Sequence, residues 1–312
     1  MTTLIAGASG FIGRRLRGPG DRALLRKDDG SGQAAVGDLQ DLASLQQACR
    51  GVDTVFHCAG YAHAFASSDP EMHWRVNFEG TRNLLTAAGQ NGVRTFVFLS
   101  SVKAMAEPGV QCVDETWPGK PGTAYGQSKR AAEELVLEVG EKTGMHVVNL
   151  RLAMVYGNGG RGNLERMARG IRAGWFPPIP ETGNRRSLVH VDDVVVALRL
   201  VASVSGARGQ TYIVADEAAY SGRQIYDALR VGLGLTAREW QVPEKLLRTG
   251  GRLGDMVGRL RGRALPLNGE VVERLLGSEC YSSARLRHDL GWRPKMNLQT
   301  GIQEMLGVEA PV

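Results

Sequence analysis

Tyr125 and Lys129 stand four residues apart in Tyr125-Gly126-Gln127-Ser128-Lys129. On a helix that spacing puts both side chains on one face, one turn apart. A free tyrosine gives up its proton at a pH of about 10. An ammonium group beside it favours the phenolate, so the pair can move a proton near neutral pH. Taken alone, such a pair is also a common couple on a helix surface. What sets this one apart is the strand-like run Thr95–Ser100 upstream, which leads into Ser100-Ser101. A hydroxyl at that strand end can bond the oxygen on which a tyrosine works.

A second chemical stretch opens the chain. Thr3-Leu4-Ile5-Ala6 reads as a strand, Gly7-Ala8-Ser9-Gly10 as a turn and Phe11-Ile12-Gly13 as the start of a helix. Gly7 allows the tight turn, Gly10 lets phosphate oxygens reach the backbone, and Gly13 lets the helix sit close to the sheet. Free N–H groups and the positive dipole end of a helix suit a pyrophosphate. Because the turn follows a strand and opens a helix, it has the context of a dinucleotide site.

The elements that must hold these residues alternate. Strand patterns at Arg22–Arg26, Val36–Leu39, Asp53–Cys58, Thr95–Ser100 and Val147–Leu152 are interleaved with helical patterns at Leu42–Cys49, Glu71–Asn91 and Ala124–Val139. The alternation predicts an α/β fold with a doubly wound parallel sheet, followed by a smaller mixed α/β domain for the substrate. The expected division gives residues 1–157, with 188–216 returning to them, to the cofactor. Residues 158–187 and 217–312 then serve the substrate, with a less regular tail from about Gln210. Ligands of open sheets sit beyond the carboxyl ends of strands. Gly7, Ala59-Gly60 and Ser100-Ser101 should therefore border one crevice.

Composition narrows the class. The 312 residues are 43% hydrophobic and 22% charged, enough to bury a full globular core. Cys49, Cys58, Cys112 and Cys280 are widely spaced, which argues against a zinc site and against a disulfide framework. That usage suits a reducing cytoplasm. With the first strand at Thr3, no signal peptide is expected. The apolar run Val194–Val204 is interrupted by Arg199 and is too short to span a bilayer. A net charge of +6 admits an anionic partner: a nucleotide, a membrane surface or nucleic acid.

Together with Val76-Asn77-x-x-Gly80-Thr81, Arg151-x-x-x-Val155-Tyr156-Gly157, Val189-His190-Val191-Asp192-Asp193 and Leu290-Gly291-Trp292-Arg293-Pro294, these motifs resemble the extended short-chain dehydrogenase/reductase family. The likeness is to its nucleotide-sugar epimerase, dehydratase and reductase branch, and it covers nearly the whole chain. It implies a Rossmann-like fold and hydride exchange with NAD or NADP. Tyr125 would be the acid/base, and Lys129 would lower its pKa and hold the nicotinamide ribose. A serine would steady the reacting oxygen, and the spacing from Phe96-Val97-Phe98 favours Ser101 over Ser100. The turn with Ser9, Phe11 and Ile12 would cradle the cofactor, and Asp38 and Leu39 would border the adenine. Ala59 and Gly60 would pass beneath, Leu152 and Val155 would contact it, and Asn77 would serve as structure and proton relay near Lys129. No resident metal and no nucleic acid are implied. A homodimer through the helices Glu71–Asn91 and Ala124–Val139 is.

Two choices remain within that family. Where NAD enzymes often end the second strand with Asp or Glu, this chain has Arg26-Lys27, which leans the cofactor toward NADP. Asp28 and Asp29 follow closely enough to reach a ribose. On the substrate side, Asn163 reads as a helix N-cap, followed by Leu164, and Arg186 precedes Val189-His190. In the branch an Asn and an Arg at these places bind the substrate diphosphate, which points to a UDP-linked sugar. Val102-Lys103-Ala104-Met105-Ala106, which follow Ser101, carry no acid, which counts against dehydration. Lys103 is similar to a subgroup of bacterial 4-keto-sugar reductases that form UDP-N-acetylquinovosamine, and would contact sugar or phosphate. The basic stretch Lys245–Arg263, interrupted by four glycines, reads as a solvated face. The reaction expected is oxidoreduction at the sugar C4, as a 4-epimerase or a 4-keto-6-deoxy-sugar reductase. Its rivals are a 3β-hydroxysteroid or flavonoid-type alcohol dehydrogenase and a non-catalytic cofactor-sensing or RNA-binding protein.

Overall fold

The computed structural model describes residues 1–62, 69–160, 162–236, 238–263, 265 and 267–308. Short apolar runs closed by turns become the strands β1 (Thr3–Ala6), β2 (Arg22–Leu25), β3 (Ala34–Val36), β4 (Thr54–His57) and β5 (Thr95–Ser101). They continue with β6 (Cys112–Val113), β7 (His146–Leu152), β8 (Met154–Tyr156), β9 (Arg186–His190), β10 (Gln210–Val214), β11 (Ala219–Tyr220) and β12 (Cys280–Tyr281). Seven of these form one parallel sheet in the order β10-β7-β5-β4-β1-β2-β3. The winding reverses between β1 and β4, which is where a doubly wound sheet opens its ligand crevice. A three-stranded sheet (β11-β9-β8) and a two-stranded one (β12-β6) stand apart from it.

The helices are α1 (Gly13–Leu16), α2 (Leu42–Ala48), α3 (Pro70–His73), α4 (Gly80–Gln90), α5 (Ala124–Thr143), α6 (Asn163–Arg172) and α7 (Val191–Ser203). They are followed by α8 (Gly222–Gly232), α9 (Glu244–Arg261), α10 (Gly269–Leu276), α11 (Ala284–Leu290) and α12 (Leu298–Leu306). The single helix expected over Glu71–Asn91 is a continuous helical run with a π-helical turn, Trp74–Glu79, between α3 and α4. Such turns widen the backbone and re-aim side chains.

Strand alternation divides the core. Leu4, Val55, Phe96 and Phe98 pack on one face of the large sheet against Leu45, Leu84, Leu85, Ala132 and Val136. Ile5, Phe56, Val97 and Leu150 pack on the other against Val194, Leu198 and Val201. A third core joins Leu164, Met167, Ile171, Ile225, Leu229, Leu247, Val272 and Ile302 from the later helices.

Three expectations need correction. The third strand lies at Ala34–Val36, ahead of the expected Val36–Leu39. The tail beyond Gln210 is regular, with five helices among the described residues, because tertiary packing overrides its low local propensity. Gly254 shows how: a Cβ there would collide with the Leu267 carbonyl, so the glycine is what lets α9 settle on the start of α10. Finally, Cys112 and Cys280, separated by 168 residues in sequence, are register partners across β6 and β12 and form a disulfide. Distance along the chain said nothing about distance in the fold, and the cysteine argument for a reducing compartment falls with it. Cys49 and Cys58 are free.

Candidate active site

Three strand ends meet at the crevice. Gly7 has a φ of +83°, and a Cβ on it would fall 2.6 Å from the Ala59 nitrogen. The turn after β1 therefore lies directly against the segment after β4. The Gly10 N–H donates to the Gly7 carbonyl at 2.9 Å, and a Cβ on Gly13 would strike that same carbonyl. Ser9 and Gly10 are exposed, Phe11 and Ile12 half-buried. At Gly60 a Cβ would come within 3.4 Å of Lys129 Nζ and 3.2 Å of Asn77 Oδ1. Bare backbone thus floors a cradle that side chains would fill, a fit for a dinucleotide.

Thr123 caps α5 by accepting from the Gly126 N–H at 3.1 Å, which sets Tyr125 in the first turn. The Ser101 hydroxyl lies beside the Tyr125 oxygen and favours its ionised form. His73, on α3, meets the Tyr125 ring edge-on with centroids 5.6 Å apart. One turn further on, Lys129 is buried; its ammonium donates to the Leu99 carbonyl at 2.7 Å and lies 4.4 Å from the Phe98 ring centroid. Burial lowers the Lys129 pKa to about 8. Burial also raises that of Tyr125, opposed only by Ser101. The expected lowering of the tyrosine by Lys129 is not seen: Lys129 is not among the groups that set this shift, and burial disfavours the phenolate. Ser100 points away from this group, with its hydroxyl buried and unbonded among the described residues.

Other groups hold the pair in place. Asn77, in the π-helical turn, accepts the Tyr61 N–H at 2.7 Å and donates to Ser128 Oγ at 3.2 Å. Ser128 in turn donates to the Tyr125 carbonyl at 2.8 Å. Glu133, one turn beyond Lys129, grips Arg151 of β7 with bonds of 2.7 and 3.0 Å, both side chains fully buried. His73, Ser128 and Glu133 were missed from sequence. Glu133 alone carried a signal, as a carboxylate in register with Lys129 on the buried face of the helix.

Around the cofactor, Arg26 and Lys27 are exposed beyond β2. Asp28 and Asp29 are turned onto the Gly30 and Ser31 N–H groups, both at 3.0 Å, and so build the loop. Asp38 accepts from Gln40, and Leu39 packs beside Gly80. Leu152 is buried opposite Ser101 in register, and Val155 is half-buried in β8.

Asn163, Leu164 and Arg186 line one pocket with Arg166, Arg274, Met167 and Phe176, a lining that does not include Ser101 or Tyr125. Asn163 is the first residue of α6, whose N-cap is Gly162, so the expected cap is corrected. Arg186 donates to the Gly277 carbonyl at 3.1 Å and lies 3.6 Å from Glu279. Lys103 is outside this lining and pairs with the other Glu279 oxygen at 2.7 Å. Glu279 thus ties together two expected substrate groups, a role no local motif announced. At the seam, Arg15 bonds both Asp192 and Glu304, and His190 bonds Glu304 at 3.0 Å. That arginine already occupies the only group of metal-ligand types found among the described residues.

With this geometry in place, the sequence comparisons settle the class. The model of the NAD dependent epimerase/dehydratase family matches residues 3–215, and the chain belongs to that family. It is 28% identical to a UDP-glucose 4-epimerase of Vibrio cholerae, over 96% of this chain and 93% of that one. It is 27% identical to the N-acetyl-alpha-D-glucosaminyl-diphospho-ditrans,octacis-undecaprenol 4-epimerase of Escherichia coli O157:H7, over 98% and 94%. The UDP-glucose 4-epimerase of Thermus thermophilus, solved in complex with NAD, superposes with a TM-score of 0.74 at 25% identity over 98% of each chain. The protein is an extended short-chain dehydrogenase/reductase enzyme.

Proposed function

We propose that the protein oxidises or reduces C4 of a sugar attached to a diphosphate, UDP being the first nucleotide to test. The observation that carries the reading is the Ser101–Tyr125 hydroxyl contact, set beside buried Lys129 over the bare backbone of Gly60. Tyr125 exchanges a proton with the sugar oxygen, and Ser101 holds that oxygen by a second hydrogen bond. Lys129 lies where it can hold the nicotinamide ribose, and the bound dinucleotide supplies or accepts the hydride. Asn163 and Arg186, with Arg166 and Arg274 nearby, support an anionic group in the pocket. A steroid or flavonoid alcohol dehydrogenase would have no use for that set, although the Leu164, Met167 and Phe176 walls would accept an apolar ring.

Exposed Arg26 and Lys27, with Asp28 and Asp29 committed to the loop, support a 2′-phosphate and hence NADP. Replacing Arg26 with Asp should weaken NADPH binding and leave NADH binding little changed. The deciding experiment is proton NMR of UDP-N-acetylglucosamine and UDP-glucose with the protein and no reductant. A galacto product establishes a 4-epimerase. No conversion, even with added NAD, moves the reading to the 4-keto reductase, tested next with a UDP-4-keto-6-deoxy sugar and NADPH.

A further inference from the structure

The basic stretch expected to be a solvated face is α9, an 18-residue helix with two unlike sides. Leu247, Gly251, Gly254 and Gly258 are buried. A Cβ on Gly251 would lie 2.9 Å from the Val272 side chain, so this side is seated on α10. On the opposite side stand Leu246, Leu253, Met256 and Leu260. Their spacing of seven, three and four residues makes one continuous stripe. They are 63%, 54%, 55% and 82% exposed, too much apolar surface on one helix for an idle face.

Cations run beside the stripe. Lys245, Arg252 and Arg259 recur every seven residues along its flank, and Arg261 and Arg263 crowd its carboxyl end; all five are exposed. Among the described residues none of the five has an ion pair. The nearby acids are engaged elsewhere. Glu244 and Glu273 hold Arg248, Asp255 accepts the Gly269 N–H, and Glu270 pairs with Arg274. The surface therefore joins an apolar strip to a row of unneutralised positive charge. No helix among the described residues is long and apolar enough to cross a membrane.

We propose that α9 docks the protein on an anionic lipid bilayer, lying in the headgroup plane with its Leu246–Leu260 stripe among the acyl chains. Interfacial helices have this composition and this arrangement. An antiparallel second copy fits poorly, since a two-fold axis across the helices brings the two rows of cations side by side. The docked enzyme presents its substrate pocket close to the membrane. Val271, Arg274 and Leu275 of α10 line that pocket while α10 carries α9, and the segment leading into α9 bonds the Pro178 carbonyl beside the pocket residue Ile179. The proposal stands whether or not the sugar reaction is right.

The test is flotation of the full-length protein with vesicles of phosphatidylcholine alone or mixed with phosphatidylglycerol. The protein should float with the anionic vesicles at low salt, not with the neutral ones, and should be released by high salt. Arg252→Ala with Arg259→Ala should lower partitioning roughly 25-fold, about fivefold per cation. Leu253→Glu with Leu260→Glu should abolish it. Both double variants change exposed side chains, so melting temperature and dinucleotide affinity should match the parent. Failure of the parent to float with anionic vesicles overturns the proposal, as does equal flotation of either variant. Self-association that the Glu variant abolishes, without vesicle binding, assigns the stripe to a second copy and also overturns it.

Discussion

The dinucleotide side and the substrate side are built differently. On the dinucleotide side, each chemical residue sits at the end of a strand or in the first turns of a helix, and its partners are fixed by register. Ser101 stands opposite Leu152, Gly7 lies against Ala59, and Tyr125 and Lys129 share a turn of α5. On the substrate side, the same kind of residue is held by chain far away. Arg186 is fixed by Gly277 and Glu279, Lys103 by Glu279, and β6 by the disulfide to Cys280. Hydride chemistry asks for one geometry and gets a rigid frame. Under the proposed reading, substrate choice rests on contacts that can be exchanged without disturbing that frame.

Breaking the dinucleotide side should cost the most. Tyr125→Phe removes the proton donor and leaves the ring against His73, so kcat should fall by about 10²–10⁴. Fluorescence titration should find dinucleotide affinity nearly unchanged. If kcat survives, the enzyme reading of this constellation is wrong and a cofactor-sensing protein becomes the better one. Next in size is Glu133→Ala, which leaves Arg151 charged, buried and unpaired. A loss of roughly 3–5 kcal/mol is expected from such a break, measured by denaturant unfolding. Glu279→Gln is the matched change on the substrate side. Its pairs are partly exposed, so stability should move by less than about 1 kcal/mol, while KM for the sugar substrate shifts and KM for the dinucleotide does not. Equal stability losses for the two variants would erase the contrast.

That contrast also explains what could be read from the chain in advance. The parallel sheet, the glycine turn, the Tyr125–Lys129 pair and the family were all visible because their signals lie within a few residues of one another. His73 was not, since it reaches Tyr125 only through the helical run that contains the π-helical turn. Glu279 and the Cys112–Cys280 bond were hidden by long sequence separation. The direction of the Tyr125 pKa was hidden for another reason: spacing gives proximity but not surroundings, and burial raises it.

The disulfide gives a test confined to the substrate side. Cys112→Ser with Cys280→Ser frees β6 from β12, next to Glu279. Removal of a native bridge costs typically about 2–4 kcal/mol, read as a lower melting temperature. KM for the sugar should rise with it, and dinucleotide affinity should hold. An equal rise in both constants would mean that the bridge supports the dinucleotide side as well.

The smallest expected effect is a displacement along the pH axis. Burial lowers Lys129 to about 8, so its ammonium is present below that pH and lost above it, whereas Tyr125 is raised and keeps its proton throughout. In the direction of ketone reduction, which needs the tyrosine as acid, kcat/KM should therefore be level at acid pH and decline above about 8. Arginine does not titrate in this range. Lys129→Arg should lower the plateau but remove the decline, because the positive charge then persists. A decline that remains in the arginine variant would place the titrating group elsewhere and leave Lys129 with a role in geometry alone.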